Sequence, residues 1–293
     1  MKVEIATLVA ISGLCISACD RKTGSNAAPL VNSPAVKGAV RREFSHDPKA
    51  HDVLRQFSDF MSASNSFHVK ISMLSQFRGT GLPDLRREYE LYRDPDDRMA
   101  LVLTAGVVGP TIVCDGRQLY VLQKPGNRYL LDPAPPTLGK IPTIDVIGGR
   151  NWADLQLGIA SLLQEDAHAY LTGAFEIGRL LPDADIDGTA CHRIEMAGPE
   201  FERVAWIESG ERPVLRRFTA TTWDTWEGDR NNSLLITSDF RDWQFDMPIP
   251  DSVFMIQPPA GDRRTHLPGH ADVNSGEGEE VDEAGVTING APP

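Results

Sequence analysis

The chain has 293 residues, 41% of them apolar, enough for one large β-rich domain or two small ones. Its formal charge of −12, from 29 Lys and Arg against 41 Asp and Glu, repels a polyanion and argues against nucleic acid as a partner. Part of that acidity is local: from Asp262 onward seven acids face two bases, so the tail contributes 2 − 7 = −5.

In chain order, Met1-Lys2 gives a short positive start, and an apolar segment follows from Ile5 to Ile16. That segment is too short for a comfortable transmembrane helix and suits the core of a signal peptide. It ends in Ile16-Ser17-Ala18-Cys19, small residues before a cysteine, as in the bacterial lipobox. Residues 1–19 therefore read as a lipoprotein-type signal with Cys19 as the lipidated residue, anchoring the chain to a membrane of the cell envelope. Asp20 resembles the enterobacterial signal that retains a lipoprotein in the inner membrane. Residues 20–45, rich in Ser, Asn, Gly, Ala and Pro, read as a flexible tether.

Asp47-Pro48 is a helix start, a capping acid before a proline at the first helical position. Val53, Leu54, Phe57, Phe60 and Met61 recur at helical spacing and form one apolar face, which needs something to cover. Strands follow at Phe67–Phe77, Arg87–Tyr92 and Arg98–Thr104; the third is apolar on both faces, as a strand between two layers must be. Thr111–Asp115 turns through Asp115-Gly116 into Gln118–Gln123, and Lys124–Asn127 turns into Arg128–Leu131. After the break at Pro133–Pro136, a helix is expected over Trp152–Ala169.

Asp187-Gly188 opens a strand over Thr189–Met196. A hairpin about Ser209–Pro213 then puts Val204 and Trp206 on one face of its first strand, with Ala205 and Ile207 on the other. On its second strand Val214, Arg216, Phe218 and Ala220 are expected on one side. Leu234–Trp243 is the last long strand, and Met247–Phe254 a loop docking Val253 and Phe254 on the core. Residues 261–293 read as an acidic disordered tail, leaving 46–260 as the folded domain.

The order of elements is specific: signal, helix, strand meander, the hairpin at Asp115–Tyr120, a helical insert, then Trp206-Ile207-Glu208 with Pro213-Val214-Leu215. Ser238–Trp243 and Phe254 to Pro258-Pro259 follow as a closing strand and loop. This order resembles the superfamily of the periplasmic lipoprotein carriers LolA and LolB, and in particular a related group of largely uncharacterised exported bacterial proteins. The resemblance implies an α+β, mainly β fold, a curved antiparallel half-barrel sheet wrapped around helices with an apolar cavity for acyl chains. Candidate lining residues are Leu101, Leu103, Tyr120, Leu122, Val204, Trp206, Phe218, Ile236 and Phe240. A concavity filled by the chain's own side chains would leave no such room.

Catalytic and metal motifs fare poorly. Asp183–Gly188 begins like a calcium loop, but the twelfth position is Ile194 rather than the required Glu. His266 and His270 have ligand-like spacing in a tail with nothing to orient them. Cys191 and His192 are neighbours on a strand and point to opposite faces. Asp94–Asp97 reads as a turn, and no nucleophile elbow, zinc-helix motif or phosphate-binding glycine loop occurs. Cys114 and Cys191 are both on expected strands; an exported compartment allows a disulfide between them, and buried free thiols are equally at home there. The expectation is a non-enzymatic binding protein without metal or cofactor, its partner a lipid or an acylated protein and its membrane contact the N-terminal lipid. The alternative is an envelope sensor or scaffold that contacts another protein; a hydrolase ranks third.

Overall fold

Asp47 does three things at once. Its carboxylate accepts the Lys49 amide at 2.9 Å, capping α1 (Pro48–Ala63). The same carboxylate accepts the Leu180 amide at 3.3 Å, and the Asp47 amide donates to the Gly178 carbonyl at 2.9 Å. The structure, a computed structural model, describes residues 47–124, 128–143, 157–173, 177–198, 201–223, 233–255 and 263–264. The expected signal, Cys19, Asp20, the tether, His266, His270 and nearly all of the tail lie outside the described residues.

The strands after α1 are β1 (Phe67–Arg78), β2 (Leu85–Arg93), β3 (Met99–Ala105), β4 (Gly109–Cys114), β5 (Gln118–Lys124) and β6 (Arg128–Pro133). A short 3-10 turn (Leu138–Thr143), α2 (Leu157–Ser161) and α3 (Ala167–Gly173) lead to the second strand series. This comprises β7 (Ile177–Ile186), β8 (Thr189–Ala197), β9 (Phe201–Glu208), β10 (Leu215–Trp223) and β11 (Ser233–Phe245). A 3-10 turn at Asp251–Phe254 and the two-residue β12 (Arg263–Arg264) follow. β12 runs parallel to β6, four residues beyond the end expected for the domain.

All strands form one open, curved sheet in the order β12-β6-β5-β4-β3-β2-β1-β11-β10-β9-β8-β7, antiparallel apart from β12. It consists of two meanders, β1–β6 and β7–β11, joined where β1 pairs with β11. Because β6 and β7 lie toward opposite edges, the chain between them must cross the sheet. α2 and α3 lie on that crossing. Ile159 of α2, Leu162 and Leu163 just after it, and Ala167 and Leu171 of α3, with Val53, Leu54, Phe57 and Met61 of α1, share one buried cluster with the inward side chains of β1–β6 and β8–β11. Helices thus cover one face of the sheet.

On the opposite face the described residues form a second cluster over β3–β6: Ala100, Val113, Tyr120, Leu122 and Phe254, with Ile249 and Val253 against it. β3 is therefore apolar on both sides for the expected reason, and Phe254 docks as expected, though onto this second cluster rather than the main core. Arg98 lies over the Phe254 ring at 4.5 Å and holds Asp251 at 2.9 Å.

Two local readings are corrected, and the turn expected at Asp187-Gly188 is found. The helix expected over Trp152–Ala169 is, over its described part, two short helices, because the Asp166 carboxylate accepts the Ala169 amide at 2.8 Å and starts α3 afresh. β7 is an additional strand: Gly178, Pro182 and two aspartates depress its strand propensity, but an edge strand tolerates them. The Asp-rich calcium-like segment is the end of β7 plus a two-residue turn. Asp187 (φ 51°) and Gly188 (φ 81°) are both left-handed, as a type I′ hairpin turn requires.

Asp47→Ala removes a helix cap and leaves an edge-strand amide without its acceptor. It is expected to cost about 1–2 kcal/mol, seen as a lower urea midpoint at unchanged m-value.

Candidate functional site

Most of the residues expected to line a cavity are core. Leu101, Leu103, Phe218, Ile236 and Phe240 are buried in the main cluster beneath the helices. The contact is close: a Cβ on Gly158 of α2 would stand 2.9 Å from the Phe218 Cβ. Tyr120 and Leu122 belong to the cluster on the other face. Val204 and Trp206 share that other face: Ala205 and Ile207, alternating with them, carry the core contacts. Trp206 stands opposite Arg193 in the ladder, with the guanidinium 5.5 Å from its ring centroid. The nine residues therefore do not share one lining. Strand alternation divides them between two faces, and helix packing fills the inner one.

A bulge also changes the expected faces of β10. Leu215 pairs with Ile207 but Arg217 with Trp206, an extra residue that brings Leu215 onto the same side as Phe218 and Ala220.

A second bulge shapes an open cleft. β11 pairs regularly up to Lys70–Arg241 and resumes at His68–Gln244, with Asp242 at φ 54° in the extra position. Aspartate is among the few residues that tolerate this conformation. The Lys70 Nζ holds its carboxylate at 2.9 Å. That hydrogen bond, then the Lys70 charge, keeps the Asp242 carboxyl below the usual range. Ile236 and Phe240 point to the helices before the bulge; one residue of slippage sends Trp243 and Phe245 to the same side.

Trp243 and Phe245 stack with centroids 5.4 Å apart and planes 2° from parallel. Phe60, on the last turn of α1, meets Phe245 edge-on at 5.1 Å. The Trp243 Nε1 donates to the Leu215 carbonyl at 3.0 Å, tying the β9–β10 hairpin to this aromatic floor. With Ala63, Ser64, Arg212, Gln244, Asp246 and Met247 these residues line an open cleft of about 700 Å³. The connection from α1 to β1 is stitched to its rim. The Asn65 amide donates to the Asp246 carboxylate at 3.1 Å, and the Ser66 hydroxyl to the Met247 carbonyl at 2.9 Å. None of the cleft residues was among the nine expected. The pair Trp243-Gln244-Phe245, aromatic at strand spacing, is the signal in the sequence that marks them.

The reactive side chains are engaged elsewhere. His51 Nδ1 and His168 Nε2 lie 3.1 Å apart and link α1 to α3. His192 pairs with Asp183 at 3.0 Å. His68 stacks on Tyr92 and stands 3.5 Å from Glu90. Burial, and then the hydrogen bond to Glu90, push the Tyr92 hydroxyl up to about 12. Cys114 and Cys191 are free thiols, so the expected alternative of a disulfide is set aside. They sit on β4 and β8, with six strands between them in the sheet, far beyond the 7 Å a disulfide spans. Burial pushes the Cys191 thiol up to about 11, away from the reactive thiolate. Among the described residues no three His, Cys, Asp or Glu come together to hold a metal ion. No described helix is long and apolar enough to cross a membrane.

Residues 50–267 match the model of a family described as "Predicted periplasmic protein (DUF2092)". This chain belongs to that family. The family description gives the periplasm as its compartment, and the matched segment contains every described strand and the cleft. No curated protein matches the chain. Among solved structures it is similar to an uncharacterized conserved protein from Thermus thermophilus (9% identity, TM-score 0.43, 74% of this chain and 98% of that one). It is also similar to a LolA superfamily protein from Nitrosomonas europaea (14%, 0.33, 71% and 97%) and to LprF from Mycobacterium bovis (14%, 0.39, 70% and 98%).

Asp242→Val places a β-branched residue at a φ it strongly disfavours. It is expected to lower the urea midpoint and to erase the near-ultraviolet dichroism of the Trp243–Phe245 stack. Asp242→Gly, free to adopt that φ, is expected to keep the stack.

Proposed function

We propose that this protein is an exported, membrane-tethered binding protein that holds an acyl chain, of a lipid or of an acylated partner, in the cleft between the end of α1 and the end of β11. One observation carries the reading. An aromatic floor of Phe60, Trp243 and Phe245 stays open at the end of a sheet whose described inner side chains are otherwise buried in the main cluster. Apolar clefts with a few polar groups at the rim are the usual form of small-molecule sites, and about 700 Å³ is within their normal range.

The tether is the N-terminal segment, with lipid on Cys19 as its anchor. The arrangement reads as a half-barrel embracing its helices, the architecture implied by the resemblance of Trp206-Ile207-Glu208, Pro213-Val214-Leu215 and Ser238–Trp243 to the lipoprotein carriers. Here the helices leave space at one end of the sheet rather than along its concavity. A binding role also suits the chemistry, since the described histidines face carboxylates or each other and the described thiols are buried.

A protein-contact role is the second reading. It is favoured by Leu82 and Val107, 40% and 69% exposed at the tips of the β1–β2 and β3–β4 connections, which share the end of the sheet opposite the cleft.

The test is native mass spectrometry of residues 20–293, exported behind a cleavable secretory signal so that Cys19 and its lipid are absent. A co-purifying acyl-chain or phospholipid mass is expected, and its loss in the Trp243→Ala, Phe245→Ala double variant. A clean apo mass that survives incubation with phospholipid and acylated peptide would refute the acyl-binding reading and favour protein contact.

A further inference from the structure

The cleft carries a cation that the fold does not use. Arg212 is exposed at the rim and makes no side-chain hydrogen bond or ion pair among the described residues. Its neighbours are differently placed. Arg216 holds Glu208, Arg217 holds Asp239 at 2.5 Å, and Lys70 holds Asp242 at 2.9 Å. Among the residues that line the cleft, Arg212 is the one cation.

Its position is also fixed. The Val214 amide donates to the Arg212 carbonyl at 2.8 Å, closing a tight turn around the buried Pro213. Two residues later the Leu215 carbonyl is held by Trp243. The same indole that floors the cleft therefore anchors the hairpin that carries the cation. Asp246, the one carboxylate on the lining, already accepts the Asn65 amide and belongs to the opposite wall, with the end of α1.

From this juxtaposition we infer that the cleft selects anionic amphiphiles, with the acyl chain against Trp243, Phe245 and Phe60 and a carboxylate or phosphate head on Arg212. A guanidinium offers a planar fork of donors that matches both head groups, and the wet rim lets the head keep part of its hydration. The inference rests on the acyl-binding reading and narrows its ligand class. It also gives the ligand a direction. α1 starts beside Gly178, at the end of the sheet shared by Leu82 and Val107, and finishes at the cleft. The chain therefore enters the domain at one end, and the head group sits at the other.

The experiment compares dodecanoate with dodecanol at pH 7.5, titrated into residues 20–293, the mature chain without its lipid-bearing residue. Four proteins are used: unmodified, Arg212→Gln, Arg212→Lys and Trp243→Ala. Dodecanoate is expected to bind about 5-fold more tightly than dodecanol, with a preference that shrinks in high salt. Arg212→Gln should bring dodecanoate down to the dodecanol level and leave dodecanol unchanged, Arg212→Lys should recover part of the preference, and Trp243→Ala should weaken both ligands. Equal binding of the two ligands, or a preference that survives Arg212→Gln, overturns the inference while leaving the acyl-binding reading intact. Binding of neither ligand, or binding indifferent to Trp243→Ala, overturns that reading and the inference with it.

Discussion

The fold depends on the pairing of β1 with β11. Each meander is built from neighbours in sequence, but the join between them matches Phe67 with Phe245 and Arg78 with Ser233. Without it there would be two short sheets, each with an unpaired edge in the middle of the molecule and no common face for the helices. The pairing also sets the path of the connection. Once β1 and β11 are central, β6 and β7 are driven toward opposite margins, and the intervening chain must lie across the sheet. The main core is its result, since α1, α2 and α3 meet strands of both meanders in one cluster.

The irregularity in that same pairing gives the molecule its cleft. A regular ladder would have turned Trp243 and Phe245 outward and put Asp242 and Gln244 inward, toward the end of α1. One extra residue, Asp242, reverses their faces and gathers three aromatic rings that the helix only partly covers. Bulges recur where a sheet must re-aim side chains. Here the left-handed aspartate and the Lys70 ammonium hold the irregularity at the surface. The other bulge, at Leu215–Arg217, acts on the facing hairpin: it brings Leu215 inward. The Leu215 carbonyl then accepts the Trp243 indole N–H.

Much of this was legible in the sequence, and the reasons differ by element. β3 announced two buried faces because every position from Met99 to Leu103 is apolar. Asp115-Gly116 marked a hairpin and Asp187-Gly188 the turn that opens a strand, since Asp and Gly suit tight turns and Gly116, Asp187 and Gly188 are left-handed. Asp47-Pro48 marked the helix start by its capping chemistry. β7 was hidden because edge position, a tertiary property, excuses its Gly178 and Pro182. The cleft was hidden for a deeper reason. Which side Trp243 faces depends on a slip against β1, and a slip belongs to a pair of strands rather than to either alone. Likewise Leu101, Leu103, Phe218, Ile236 and Phe240 lie inward in the main cluster, and the approach of α2 through Gly158 fills the space before two of them, Phe218 and Phe240, which no strand pattern shows.

The central claim is that the room for a ligand lies at the end of the sheet, on the aromatic floor the bulge creates. The most direct test is a crystal of the domain grown with a fatty acid brominated at its terminal carbon, with the bromine found by anomalous scattering. The account predicts a single bromine peak among Phe60, Trp243 and Phe245. A peak between the helices and Phe218 or Phe240, or beside Tyr120 and Phe254 on the other face, would contradict it.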